Sequence, residues 1–539
     1  MIFQPLGGAS EVGASSALSN IDGYPILVDA GIRMNHEHTN GSPLPDFSVF
    51  DKVGMPDAVL LTHAHTDHTG ALPDLHKWLP ADVKIYCTEA TKAIIEVLLK
   101  DSIKIMHQKE EQTGEAPRYT PGDVAAVLKR IETVPWSDPV EICPSVIARW
   151  TRAGHILGAA MIYIEGKSET LLMTGDVSVT KQLTIPSVDV PAWCCKPDVM
   201  VIESTYGNRP HKFNRREEEK RLAAAVANTV IKEEAIVLIP VFAIGRSQEV
   251  ILILKQAMES EQIPKFPVYV DGMVRDVNAI YSGFADELQR PLRRKAEQGE
   301  SLFYSDVIEE VPRNYKPEDV LAGGPCCIVA SSGMLNGGKS IVYAKQLVAN
   351  PRNLIAITGY QAEGTPGRAL EDLRERKNSE DRVWFLDGER FDVKCRVERY
   401  SLSAHADKNE LIDLVRKVRP REKLFLVHGV TEARRALFGS ARKQLEVSVK
   451  LPENGGTYLI KKRLGIASGR RHTMERILSE VHAHLLKMRN KGPFHVRELA
   501  AFWFGSEAIT AVVVKFVEWC LSLDREFFRR GSDDLFYLR

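Results

Sequence analysis

The sequence predicts a layered α/β protein of several domains, in which one site is assembled from distant parts of the chain. Three observations predict it. Four apolar runs in the first two hundred residues or so each end on a polar side chain, the middle of the chain alternates strand and helix patterns, and histidines at strand ends reappear after residue 400. A length of 539 residues exceeds what one core accommodates and suggests roughly three or four domains.

The first run, Pro25 to Gly31, is a buried strand closing on Asp29 and Gly31. The second, Asp57 to Thr62, leads straight into a histidine cluster. Thr170 to Asp176 repeats the design with Gly175-Asp176, and Val199 to Thr205 repeats it with Glu203. Strands that each deliver a polar residue at one end build a single rim on an α/β scaffold. From about residue 214 the pattern changes. Arg215 to Lys232 is a charged amphipathic helix with Leu222, Ala225, Val226 and Val230 at helical spacing. The strand Ala235 to Pro240, a Gly-Arg turn and the helix Ser247 to Met258 follow, and further strand–turn units run to about residue 390. Such alternation reads as a parallel sheet. Because His405 and His428 come after it, this second domain lies between two parts of the first.

The segment from about residue 470 differs again. Met474, Ile477, Leu478, Val481, Leu485 and Leu486 form one helical stripe, closed by Gly492-Pro493. Helix patterns around 496–503 and 508–523 and a hairpin pattern over 526–538 complete a small helical module. Three helices with a hairpin resemble a winged helix; a dimerisation or docking module fits the same pattern.

Lys+Arg and Asp+Glu both count 71, so there is no global basic field. Contact with nucleic acid would have to be local, and the basic runs 293–295, 461–463 and 470–471, each taken alone, read more readily as a solvated face. Eight cysteines show no C-x-x-C spacing, which argues against a zinc ribbon or a disulfide framework. No leader pattern and no apolar run of about 18 residues is present, so the expectation is a cytoplasmic protein.

The strongest chemical signal is His63-Ala64-His65-Thr66-Asp67-His68, placed just after a buried strand. Four ligand-type side chains within six residues serve two adjacent metal positions, and imidazole with carboxylate suits zinc. One loop cannot close both positions. His155 between Gly154 and Gly158, Asp176 at its strand end and His428 after Leu424 to Val427 supply the further candidates. Each alone reads as a satisfied polar residue; together, in matching contexts, they read as ligands.

These motifs resemble the metallo-β-lactamase superfamily. Val28-Asp29-Ala30-Gly31, His63 to His68, Gly154-His155, Thr174-Gly175-Asp176 and Val427-His428-Gly429 look like its five motifs. Glu203 to Gly207, Ser403-Ala404-His405-Ala406-Asp407 and His428 look like motifs A, B and C of its β-CASP branch, which processes nucleic acids. The stretches 239–249, 330–335 and 359–368 are similar to that branch's inserted domain. The resemblance covers roughly residues 1–460. It implies an αββα sandwich at 1–207 and 396–465, a β-CASP insert at 208–395 and the extra module at 466–539.

The resemblance also implies roles. His63, His65 and His155 would hold one zinc ion, and Asp67, His68 and His428 another, with Asp176 bridging; manganese is an alternative at the second position. Such a pair activates water near neutral pH and offsets phosphate charge. Asp67, Glu203 and His405 form the catalytic set, with His405 protonating the leaving ribose oxygen and Glu203 orienting its ring. Asp29 would orient the metal loop without binding metal. Ser331, Ser332, Thr365 and Arg368 on glycine-rich loops would contact substrate phosphates. Arg246 would either join them or serve an internal salt bridge.

A histidine at motif C points to RNA in this family, and the Ser-Ala-His-Ala-Asp form resembles the mRNA 3′-end cleavage endonuclease subunit and its prokaryotic homologues. The expectation is therefore a single-strand ribonuclease, endonucleolytic and leaving a 5′ phosphate. A 5′→3′ exonuclease, or a DNA enzyme guided by the C-terminal module, is the alternative. A homodimer or a protein partner through that module is a further expectation.

Overall fold

A computed structural model of the chain describes residues 1–460, except 34–40, 211–213, 377–380 and 387, and scattered positions between 482 and 538. Residues 1–461 form one compact unit and 462–539 a second. Two seven-stranded sheets stack face to face in the first unit. One runs Tyr458–Leu459, Ile2–Gly7, Ser16–Ile21, Tyr24–Val28, Ala58–Leu60, Lys84–Thr88, Ile131–Val134; the other Ser448–Lys450, Lys423–Val427, Val199–Glu203, Thr170–Met173, Ala160–Glu165, Val146–Arg152, Val140–Cys143. Phe3, Ile26 and Leu60 of one sheet meet Trp150, Ile162 and Phe425 of the other, and the rings of Phe3 and Phe425 stack at 4.7 Å. The outer faces are closed by helices, through Leu72, Leu75, Ile94 and Ile95 on one side and Leu411, Leu414, Val415 and Leu437 on the other. This is the expected αββα sandwich.

The insert leaves the second sheet after Glu203, and the chain returns at Lys423 as the neighbouring parallel strand, Val199 opposite Lys423 and Glu203 opposite Val427. Its own sheet has six strands, Ile308–Glu310, Val268–Asp271, Cys327–Ala330, Val237–Pro240, Leu354–Ile357 and Arg396–Arg399, every pair parallel. Helices cover both faces, with Val250 and Leu254 on one side and Tyr343, Ala344 and Leu347 on the other. Burial on both faces is why the four central strands read as continuous apolar runs.

Two boundaries differ from expectation. Arg396–Arg399 completes the insert sheet, so the insert extends past residue 395. The long helix pattern also splits, into an α-helix Arg215–Ala227 and a wider π turn Asn228–Lys232, where the Thr229 hydroxyl donates to Ala225 O. In the second unit, Phe528–Arg530 and Phe536–Leu538 pair antiparallel, as the hairpin pattern predicts. The three helices expected there lie mostly outside the described residues. No helix among the described residues is long and apolar enough to cross a membrane.

Candidate active site

Val199–Glu203 ends on Glu203 itself, whereas three other rim-forming strands stop just short of the residues they deliver. Tyr24–Val28 ends before Asp29 (φ 62°), Thr170–Met173 before Gly175 (φ 53°), and Lys423–Val427 before His428 (φ 51°). Left-handed φ turns the chain out of the sheet and aims Asp29, Asp176 and His428 into the space above the strand ends. Gly31 is demanded by close approach, since a Cβ there would lie 1.6 Å from Asp67 O. The histidine loop follows Ala58–Leu60 and closes into the helical turn Thr66–Thr69.

Nitrogens of three histidines converge. His63 Nε2 lies 3.2 Å from His65 Nδ1, which lies 3.0 Å from His155 Nε2. Asp176 Oδ2 is 3.6 Å from both His63 Nε2 and His155 Nε2. Four donors around zinc with arms of ~2.0–2.1 Å sit ~3.3 Å apart along a tetrahedron's edges, so the set fits such an ion. Asp67, His68 and His428 form a second group, with His428 Nε2 3.2 Å from Asp67 Oδ2. The other Asp176 oxygen, Oδ1, is 3.6 Å from His68 Nε2, which places Asp176 between the groups. His68 Nε2 and Asp176 Oδ1, which face each other, are buried without a hydrogen-bond partner. Orphaned buried acceptors of this kind are explained by cations.

Electrostatics agree. Burial and His68 hold His63 well below the usual imidazole range, and burial with His405 does the same to His155. Both rings are therefore neutral at neutral pH, the form a metal ion binds. Burial also opposes protonation of His68 and His428, but Asp176 with Asp29 raises the first, and Asp176 with Asp67 pushes the second up to about 10. The carboxylates thus demand positive charge, from protons or from metal.

Asp29 supports the cluster from outside. Its carboxylate accepts from Thr62 N and Oγ1, both at 2.8 Å, and faces His68 Nδ1 at 2.7 Å, leaving His68 Nε2 for the centre. Glu203 faces His405 Nδ1 at 3.0 and 3.1 Å and accepts from Val177 N at 2.9 Å. His405 is 17 % exposed while His63, His68, His155 and His428 are at most 4 % exposed, so its ring borders the open side. Thr62, Thr205, which lies 3.3 Å from His428 Nδ1, and Tyr206, whose ring is edge-on to His405 at 6.0 Å, were not singled out by the sequence. Thr205 and Tyr206 lie inside the motif from Glu203 to Gly207, and Thr62 directly precedes the histidine cluster, which was their signal.

The insert's candidates lie where three neighbouring strands end. Arg246 follows Val237–Pro240, Ser331 and Ser332 follow Cys327–Ala330, and Thr365 and Arg368 follow Leu354–Ile357. The last two loops are tied together by Gly367 N on Met334 O (2.8 Å) and Gln361 Nε2 on Gly333 O (2.9 Å). The Thr365 hydroxyl is committed to capping Arg368 N, Ser332 Oγ donates to Asn336, and Arg368 pairs with Asp372. Arg246 differs. It is 8 % exposed, and its Nη1 has no partner. Burial and neighbouring Arg215 lower its pKa to about 10, so it stays charged at neutral pH.

Family models match three stretches: a metallo-beta-lactamase superfamily domain at 18–197, a Beta-Casp domain at 247–370 and a Zn-dependent metallo-hydrolase RNA specificity domain at 390–452. The chain is 34% identical over 466 residues to transcription termination factor FttA of Pyrococcus horikoshii, spanning 83% of this chain and 69% of that protein. It is 32% identical over 463 residues to Integrator complex subunit 11 of Danio rerio, spanning 85% and 73%. A crystal structure of an Enterococcus faecalis protein of unknown function shares the fold, with a TM-score of 0.50, 14% identity and coverage of 85% of this chain and 99% of that one.

Proposed function

The chain belongs to the β-CASP branch of the metallo-β-lactamase superfamily and is a metal-dependent, RNA-cleaving hydrolase; on that premise we propose that it cuts internal phosphodiester bonds and leaves a 5′ phosphate and a 3′ hydroxyl. The observation that carries the reading is the pair of ligand groups with Asp176 between them, 3.6 Å from His68 and 3.3 Å from His428, and the His405–Glu203 pair beside them. In this reading His63, His65 and His155 hold one zinc ion, Asp67, His68 and His428 the other, and Asp176 faces both; manganese suits the oxygen-richer second position. When bound, such a pair supplies water activation and charge neutralisation at the attacked phosphate.

The protein's own groups do the rest. Glu203 fixes the His405 ring through Nδ1, so that Nε2 delivers a proton to the departing 3′ oxygen, and the carboxylate stabilises the charged ring before transfer. Asp67 aligns with His428 at the second group and belongs to the catalytic set. Asp29 keeps His68 in one orientation. Arg246 supplies a buried guanidinium whose Nη1 is unpartnered and suited to a substrate phosphate, and Ser331, Ser332, Thr365 and Arg368 line the same end of the insert sheet. The C-terminal module serves as a site for a second copy or a protein partner. The seven described cysteines are unpaired, in keeping with a cytoplasmic setting.

The test uses zinc-loaded protein on a circular single-stranded RNA and on a DNA circle of the same sequence, with His63→Ala as the control for contaminating nuclease. Opening of the RNA circle alone supports the endonuclease, because an exonuclease has no end to start from. Shortening only of linear RNA bearing a 5′ phosphate replaces it with the 5′→3′ exonuclease. Cutting of DNA alone overturns the RNA assignment and makes the C-terminal module the candidate DNA reader.

A further inference from the structure

Between the sandwich and the insert runs a short strap, residues 182–185, whose backbone is held almost entirely from the insert side. Glu249, fully buried in the first turn of the helix Arg246–Glu259, accepts from Leu183 N at 3.0 Å, Thr184 N at 2.7 Å and Thr184 Oγ1 at 2.5 Å. Gln289, also of the insert, donates its backbone N–H to Thr184 O at 2.8 Å and its side-chain amide to Gln182 O at 3.2 Å and Ile185 O at 2.9 Å.

The strap in turn grips the loop that carries His155. Gln182 is buried, and its side-chain amide donates to Gly154 O at 2.7 Å and to His155 O at 2.9 Å. On the other side of Glu249, Arg215 Nη2 donates to its carboxylate at 2.5 Å while Arg215 Nη1 donates to Ser403 O at 3.0 Å. The next carbonyl, Ala404 O, receives His155 Nδ1 at 2.9 Å, and the residue after that is His405. The contacts therefore close a ring: Glu249, the strap, Gln182, His155, the 403–404 backbone, Arg215 and Glu249 again.

We propose that Glu249 is a positioning residue that ties docking of the insert to placement of His155 and His405. Neither Glu249, Gln182 nor Arg215 stands in a ligand group or beside the reacting atoms, so each acts through another residue. A buried carboxylate that loses its donors is costly, and the members of such a network stand or fall together. The docked insert thus holds both halves of the site in register, and a displaced insert releases both. The inference rests on the ligand assignment above, because it gives His155 to a metal.

The test measures metal retention and backbone protection on the full-length protein. Gln182→Leu and Glu249→Gln should weaken zinc binding at the His63–His65–His155 position roughly 10–100-fold in a chelator competition, the size expected when a supporting partner of a ligand is lost. In the metal-free protein the same variants should speed amide hydrogen exchange in 154–158. Tyr343→Phe, which removes a buried hydrogen bond to Asp271 elsewhere in the insert, should change neither readout. Should Glu249→Gln fail to fold, Thr184→Val and Gln182→Leu decide. If His155→Ala loses metal while Gln182→Leu and Glu249→Gln keep wild-type affinity and protection, the proposal is overturned. If His155→Ala itself keeps both metals, the ligand assignment has failed instead.

Discussion

Replacing Glu203 by Gln tests the division of labour in the site. The carboxylate contacts His405 Nδ1 through both oxygens, at 3.0 and 3.1 Å, and Asp176 Oδ2 lies 3.9 Å from the same nitrogen. Burial opposes the protonated imidazole; Glu203 and Asp176 outweigh it and raise the His405 pKa. An amide keeps the shape and loses the charge. A hydrogen bond to a charged group contributes roughly 1.5–3 kcal/mol, and about 1.4 kcal/mol is one decade of rate, so kcat on RNA should fall roughly 10–150-fold. The assay compares two leaving groups. Ribose oxygen needs a proton to depart, whereas the nitrophenolate of bis(p-nitrophenyl) phosphate does not. Glu203→Gln and His405→Ala should therefore cripple RNA cleavage and leave hydrolysis of the activated diester within a few-fold of wild type. Equal losses on both substrates would refute the proton-donor argument and assign Glu203 to holding the 176–177 turn through Val177 N.

Other expectations follow from particular contacts. Arg246→Met should weaken RNA binding in a His405→Ala background and reduce the slope of log Kd against log salt by ~0.7, the value for one phosphate contact on a single strand. An unchanged slope would assign Arg246 to internal pairing with Glu249. Removing metal should lower the melting temperature and zinc should restore it, since a ligand held at ~1,000 times its Kd stabilises the fold by about 4 kcal/mol; a zinc-independent melt would contradict the ligand groups. Glu218 accepts from Arg221 Nε and Nη2 and from Ser401 N, and although burial opposes it, those bonds lower its pKa. Its contribution is present above the ordinary carboxylate pKa and lost as pH falls through the lowered one. Glu218→Gln should cost roughly 1.5–3 kcal/mol near pH 7 and flatten the acid limb of stability; parallel acid limbs in melts from pH 7 to 3 would exclude it.

Much of the site was legible because its information is local. His63, His65, Asp67 and His68 occupy six consecutive residues, and a turn of chain after a buried strand suffices to gather them. Apolar runs ending in Asp29, Asp176, Glu203 and His428 announced a common rim, because each strand end carries its polar residue whatever lies beside it. Continuous apolar strands alternating with helices likewise sufficed for a parallel insert. The end of the insert was less legible, since Arg396–Arg399 is a charged edge strand whose pattern does not say which sheet it joins.

Strand order and depth of burial belong to the tertiary structure alone. Only the placement of Val199–Glu203 between Thr170–Met173 and Lys423–Val427 brings Asp176, Glu203 and His428 side by side across more than 200 residues of chain. The same holds for Arg246. In sequence it is one arginine in a turn, free to pair or to bind, and only its enclosure beside Arg215 and Glu249 leaves Nη1 without a partner. Ligand identity is a property of residue type and short spacing, which a sequence states outright. The distance between two side chains, and the dielectric around them, follow from packing that no local pattern encodes.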